Sequence, residues 1–198
     1  MNSSDLFRGK LVRLAALADD DISSLALWYQ DPHFLRCFDS RPAYPKTEEE
    51  LRSWLEELRK DERTIAFAVR PLEGDRLVGY LEIDGLDWQH GVCGMGLGIG
   101  DPADRGQGFG YEATQLALRY AFHELNLHRV QVTVFAYNPA SIGLLEKLGF
   151  RREGVYRERL QRDGVRYDML LYGLLRREWQ LGRQGADQGE DGSGELAG

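Results

Sequence analysis

Between Arg105 and Gly110 the chain reads RGQGFG, three glycines at alternate positions immediately ahead of an apolar helical stripe. The first turn of a helix has backbone N–H groups without intrahelical acceptors and carries partial positive charge, and glycines let an anion's oxygens come close to the main chain. The chemistry on offer is capture of phosphate groups by backbone donors from Arg105 to Gly110. A surface turn has the same glycine spacing, so the neighbouring residues have to decide. Directly upstream, CGMGLGIG from Cys93 to Gly100 alternates glycine with a larger residue four times. Strand interiors disfavour glycine, which packs nothing and loses the most backbone freedom on folding. One bare face admits either a ligand or tightly packed helices, with Met95, Leu97 and Ile99 on the opposite face by the strand's period of two. A Walker loop is excluded because no GxxxxGK[ST] occurs. The Rossmann glycine pattern fails from Gly106, where Tyr111 takes the third glycine's place, and fits only loosely from Gly108 with Gly110 and Ala113. His128, Arg129 and Val130 stand about 20 residues on, where a ribose-binding acid belongs.

The elements that must position these groups follow from periodicity and punctuation. A strand is expected over Lys10 to Leu17, and a helix bearing Ile22, Leu25 and Trp28 behind the acids Asp19 to Asp21. Thr47 and Glu50 form a capping box ahead of Leu51, Trp54, Leu55 and Leu58. Strands over Thr64 to Arg70, Arg76 to Asp84 and Val92 to Ile99 make an antiparallel meander. A helix from Gly108 to Asn126 and a strand from His128 to Ala136 complete a right-handed crossover, which requires a parallel pair. Asn138 and Pro139 open a short helix that Gly149 ends, and strands over Gly154 to Gln161 and Arg166 to Leu174 form a final hairpin. The fold class is α+β, a mixed and mostly antiparallel sheet flanked by helices.

Composition narrows the function. At 198 residues and 42% hydrophobic content the chain suits one domain over residues 1–179, followed by a glycine- and acid-rich tail, 180–198, too poor in apolar residues to order. Of the net charge of −7, the tail carries −3, so the folded part is acidic too. That disfavours nucleic acid and favours a positively charged substrate. Cys37 and Cys93 lack a metal or disulfide pattern, the four histidines show no metal spacing, and neither a membrane span nor a leader is evident. A cytoplasmic protein without metal is expected.

The segments RGQGFG and NPASIGLLEKLGF, at their separation here, resemble the pyrophosphate loop and following segment of the GNAT superfamily of acetyl-CoA-dependent N-acetyltransferases. The pattern Asn138, Ser141, Glu146, Lys147, Gly149, Phe150 and the terminal RDGVRYDMLLYGLLRREW are similar to its ribosomal-protein N-terminal acetyltransferase (RimJ/RimL) branch, and through it to spermidine acetyltransferases. The resemblance implies a parallel pair that splays apart to admit the pantetheine arm, with acetyl-CoA as cosubstrate. It implies coenzyme contacts from Leu97, Gly98 and Ile99, from the loop residues Arg105, Gly106, Gln107, Gly108, Phe109 and Gly110, and from Asn138 and Ser141. It also implies direct attack by an amine in a ternary complex, and a homodimer is possible. An acceptor pocket is expected from Trp28 to Pro45 and the final hairpin.

Two acids of the family pattern are missing. Its strand glutamate aligns with Gly94 and its thiolate-protonating tyrosine with Leu145. Deprotonating a primary alkyl amine of pKa about 10 costs roughly 4 kcal/mol at neutral pH, and an α-amine of about 8 far less. Substitutes are therefore sought. Glu82 shares strand parity with Val78 and Tyr80 and fits a proton acceptor acting through water or, equally, a solvated face. Asp84 near the strand end reads as an exposed turn acid. Tyr137 fits either a group approaching the thiolate or a packing residue. Ser141 fits either a hydrogen bond to the coenzyme sulfur or a local bond at the helix start. The leading expectation is an enzyme acetylating a protein α-amine or small amine. A polyamine-type enzyme and a noncatalytic acyl-CoA-binding module are the alternatives.

Overall fold

The computed structural model describes residues 6–182. Seven strands, β1 (Val12–Ala15), β2 (Ile65–Pro71), β3 (Gly79–Asp87), β4 (Val92–Ile99), β5 (Arg129–Phe135), β6 (Arg151–Arg162) and β7 (Val165–Leu175), form one sheet in the order β1-β2-β3-β4-β5-β7-β6. Every pair is antiparallel except β4 and β5. The crossover between these two is α4 (Phe109–Arg119), extended by a π turn over Tyr120–Glu124. Its apolar stripe of Ala113, Leu116 and Ala117 buries against Val69, Leu81, Ile83 and Met95 on one face of the sheet.

The other face of the first strands is covered by α1 (Ile22–Trp28), α2 (Pro32–Phe38) and α3 (Glu48–Lys60). The capping box forms as the sequence predicts: the Glu50 N–H donates to Thr47 Oγ1 at 3.2 Å and the Thr47 N–H to Glu50 Oε2 at 2.7 Å. The helix α2 was not expected. Its signal is local, since Asp31 accepts from the His33 N–H at 2.8 Å and Pro32 takes the first helical position. After β5, α5 (Pro139–Lys147) is capped by Asn138, and a last helix over 176–182 includes three residues expected to belong to the tail. The remainder of that tail, 183–198, lies outside the described residues.

The end of β3 differs from expectation because of a bulge. Gly85, at φ +53°, forms a bulge where the β3–β4 register shifts between Asp84 and Asp87. The strand continues past the bulge to Asp87 instead of ending at Asp84, and Leu86 returns to the core.

A tie between the segment leading into β1 and the first turn of α4 joins these two elements. The carboxylate of Glu112, in its first turn, accepts from the N–H groups of Lys10, Leu11 and Val12 at 2.6 to 2.7 Å. A Cβ on Gly9 would lie 2.4 Å from that carboxylate, so the approach requires glycine there. Bonds to a charged acceptor contribute about 1.5–3 kcal/mol. Glu112→Ala is therefore expected to lower the unfolding free energy by about 2 kcal/mol, seen as a lower urea midpoint at unchanged slope; an unchanged midpoint contradicts the tie.

Candidate active site

β4 and β5 hydrogen-bond over only Val92↔Arg129, Cys93↔Val130 and Gly94↔Gln131, and then part. Beyond Gly94, β4 stays registered with β3 as far as Gly79↔Ile99, while β5 follows β7. A cavity opens on either side of the parting. One, of about 440 Å³, lies against the glycine loop and α5, and the other, of about 570 Å³, lies over β3, β4 and β5. Cys37, Phe38, Leu97, Ser141 and Leu144 line both, which places their junction at the splayed edge of β4.

The loop cavity is lined by Leu97, Gly98 and Ile99 of β4, by Arg105, Gly106, Gly108 and Gly110, and by Asn138 and Ser141. Gly106 (φ +77°) and Gly108 (φ +85°) take the left-handed backbone that only glycine adopts at little cost. Gly108 is the N-cap of α4 and contributes no side-chain cap, leaving the N–H groups of Phe109, Gly110 and Tyr111 without intrahelical acceptors. The side chain of Phe109 packs against the core and Gln107 is exposed; neither lines the cavity.

Arg105 turns inward. Its guanidinium donates to the carbonyls of Ile99 (3.2 Å) and Gly100 (2.7 Å) and pairs with Asp31 at 3.5 Å, while its own N–H donates to Pro102 O. With the buried Asp104 held by the Arg76 fork, the loop is shaped by its own contacts. Asn138 Oδ1 accepts from the Ser141 N–H at 3.1 Å, which is the expected cap. The Ser141 hydroxyl has no protein partner among the described residues and lies at the junction. Leu145 is buried beside it.

Tyr137 stands apart. Its hydroxyl donates to Arg36 O at 2.6 Å, its ring packs with Phe135 and Tyr167, and it lines neither cavity, an arrangement that matches the packing role.

The glycines of β4 divide the bare face between two uses. A Cβ on Gly98 would meet Phe34 and Phe38 at 2.9 Å, and one on Gly100 would meet Trp28 at 1.9 Å, so here helices pack onto the strand. At Gly94 and Gly96 the neighbours are the carboxylates of Asp84 and Glu82. Both acids line the larger cavity, half-buried. Asp84 is thus not an exposed turn residue, because the bulge at Gly85 carries the strand past it. Tyr80 donates its hydroxyl to Glu82.

The two arginines of this cavity are already paired, Arg41 with Asp39 and Arg129 with Glu153. Glu82 and Asp84 have no basic partner among the described residues. Burial pushes the Glu82 carboxyl above its ordinary range, the Tyr80 hydrogen bond opposes this, and Asp84 and Asp39 add to the rise. Burial alone raises Asp84. Tyr29, on the same wall, is pushed up to about 12 by burial and by Asp39.

One wall of this cavity is held by the tip of the β6–β7 hairpin. Arg162 Nη2 donates to the carbonyls of Asp39, Ser40 and Arg41 at 3.1 Å each, and Asp163 pairs with Arg36 of α2. The α2 residues that line this cavity, Cys37 and Phe38, lie inside the stretch expected to form the acceptor pocket, although their helix was not expected. Gly143, on α5, also lines the loop cavity and was not singled out, because one glycine in a helix has no distinctive spacing.

A mixed sheet whose one parallel pair splays between a backbone-lined loop cavity and an acidic cavity defines an acyl-transfer class of fold. The GNAT acetyltransferase domain family matches residues 12–151, and the chain belongs to that family as an N-acetyltransferase. It is 35% identical to the SPbeta prophage-derived uncharacterized N-acetyltransferase YokL of Bacillus subtilis, over 87% of this chain and 94% of that one. It is 27% identical to the [Ribosomal protein uS5]-alanine N-acetyltransferase of Escherichia coli, over 83% and 88%. Its fold resembles that of spermidine N-acetyltransferase from Vibrio cholerae, solved in complex with CoA and spermine, with a TM-score of 0.79 at 23% identity over 87% and 99%. Among the described residues no helix is long and apolar enough to cross a membrane, and no three His, Cys, Asp or Glu residues group to hold a metal ion.

The raised acids make stability depend on pH. A carboxyl whose folded pKa exceeds its unfolded one contributes stability below the unfolded value, and loses that contribution as the pH rises through the folded value. Glu82→Gln is accordingly expected to have a higher Tm than the parent at pH 7 to 8, the gain closing as the pH falls toward about 4.3, the ordinary glutamate value. Scanning calorimetry across that range checks it, and a variant less stable than the parent at pH 8 contradicts it.

Proposed function

We propose that the protein transfers an acetyl group from acetyl-CoA to a primary amine by direct attack in a ternary complex. The acceptor is a protein N-terminal α-amine or a small amine. The observation that carries this reading is the meeting of the two cavities at Leu97 and Ser141, where β4 has lost its neighbour. The loop N–H groups from Gly106 to Gly110 suit the coenzyme's diphosphate. The edge of β4 over Leu97, Gly98 and Ile99, which has no neighbouring strand and whose Ile99 carbonyl is already met by Arg105, suits the amides of the pantetheine arm, because strand backbone without a partner strand needs donors and acceptors from elsewhere.

That placement brings the thioester to the junction. Main-chain N–H groups of the bare strand are in position to polarise the acyl carbonyl, and fixing amine and thioester in line supplies a large share of the rate. Glu82 receives the proton released by the attacking amine, its raised pKa bringing it nearer the working pH. The Ser141 hydroxyl is the group available to the departing sulfur, since Leu145 offers no proton. Two carboxylates without cationic partners favour an acceptor that arrives positively charged, as an α-ammonium or a polyamine does.

Coenzyme binding and catalysis are tested separately. Calorimetry with coenzyme A is expected to show saturable binding, and Gly143→Phe, which places a ring where an added Cβ meets nothing within 4 Å, is expected to weaken it at least tenfold with the fold kept. Thiol release from acetyl-CoA across an amine panel then reports turnover. Glu82→Gln is expected to lower kcat about 100-fold or more at saturating amine; unchanged turnover removes it as the proton acceptor. Binding without thiol release on any amine marks a noncatalytic module.

A further inference from the structure

We propose that Asp84 is the residue that holds the acceptor's ammonium group, its carboxylate reaching from β3 into the space above Gly94; this rests on the acetyl-transfer reading and assigns a role within the same site. Three observations support the assignment, and the first is register. Asp84 pairs with Gly94 and Glu82 with Gly96 across β3 and β4, so both carboxylates project over bare positions of the neighbouring strand. A Cβ on Gly94 would lie 1.9 Å from Asp84 Oδ1 and 3.0 Å from its Cγ, whereas one on Gly96 would lie 3.3 Å from Glu82 Oε1. Gly94 is therefore bare because the Asp84 carboxylate fills the volume its side chain would take.

The second is position. Gly94 is the last residue of β4 to pair with β5, opposite Gln131, so the Asp84 carboxylate lies at the apex of the parting. Glu82, two residues earlier, lies over Gly96, next to Leu97 at the cavity junction where the acyl group is to be placed. The one further back holds the nitrogen as an ammonium on entry; the acid nearer the junction then takes one proton, and the neutral amine attacks the thioester, its second proton leaving with the departing sulfur as the thiol.

The third is the lack of a partner. Among the described residues Asp84 has neither a hydrogen-bond donor nor a cation. The Tyr80 hydroxyl is committed to Glu82, and Arg41 and Arg129 of the same cavity are committed to Asp39 and Glu153. A half-buried carboxylate left in this state is costly, and an arriving ammonium compensates it. Packing does not require the charge, so a charge placed in the lining without a partner points to a ligand.

The test is steady-state kinetics of Asp84→Asn and Asp84→Ala with the amine that the parent acetylates best. Expected is a rise of tenfold or more in the KM for the amine, with the KM for acetyl-CoA and the calorimetric Kd for coenzyme A within twofold of the parent. Both variants remove an unpaired charge and are expected to fold; their Tm is measured alongside. A double variant, Asp84→Ala with Gly94→Asp, returns a carboxylate to the same volume from β4 and is expected to recover most of the amine KM, which a packing role for Asp84 does not predict. Gly94→Asp alone, with Asp84 in place, is expected to lower the Tm because the two side chains compete for one space. Unchanged amine KM in both single variants overturns the assignment while leaving the acetyl-transfer reading intact. An equal rise in the KM for acetyl-CoA, or a folded double variant with no recovery, overturns it as well. A parent protein that binds no coenzyme A removes the acetyl-transfer reading and this inference with it.

Discussion

The separation of β4 from β5 beyond Gly94 is the constraint on which the rest of the molecule depends. A parallel pair in the middle of a sheet ordinarily satisfies its backbone along its whole length. Here the ladder stops after three residues, leaving β4 paired on its β3 side only. Beyond that point no strand lies on the other side of β4, and the two cavities reach its open edge. The loop before α4 supplies further free N–H groups, α5 is capped so that Ser141 comes to the opening, and α2 covers the far end of the bare strand with aromatic rings.

Charge follows the same geometry. Arginines are frequent in this acidic chain, yet those near the site are held by protein groups: Arg105 by strand carbonyls and Asp31, Arg76 by Asp104, Arg129 by Glu153 and Arg41 by Asp39. The loop thus turns free main-chain donors toward its cavity, with its arginine engaged in the loop's own contacts. On the other side of the junction the balance is reversed, and two carboxylates stand without cations. The site is polarised along the path from loop to acceptor cavity, with each end suited to one reactant's charge.

Much of this was legible in the residues. The glycine loop opening α4, the Thr47–Glu50 box, the Asn138 cap and the single parallel pair were each readable, because each is written in neighbours along the chain. The splay came from family resemblance and not from local pattern. What escaped was set by contacts between distant segments. The Asp31–Pro32 start of α2 lay in a stretch too short to show periodicity. Asp84, at the expected end of its strand, has the look of a turn acid, and only the register with β4 shows a bulge and a carboxylate over Gly94. The inward turn of Arg105 and the commitment of Tyr137 to Arg36 O are side-chain choices that spacing does not encode. Of the two uses the repeated glycine admits, a ligand or packed helices, the helices are seen at Gly98 and Gly100, while at Gly94 and Gly96 the space is taken by the protein's own acids, a use the spacing does not announce.

The grip of the Arg162 guanidinium on three successive carbonyls has a bearing on how such a protein changes over generations. The segment over 39–41 that borders the larger cavity and the hairpin tip that grasps it are more than 120 residues apart in sequence, yet three hydrogen bonds join them. Replacements in one are therefore non-additive with replacements in the other, as for any residues in direct contact. Transplanting either segment alone from a relative carries one half of a matched pair.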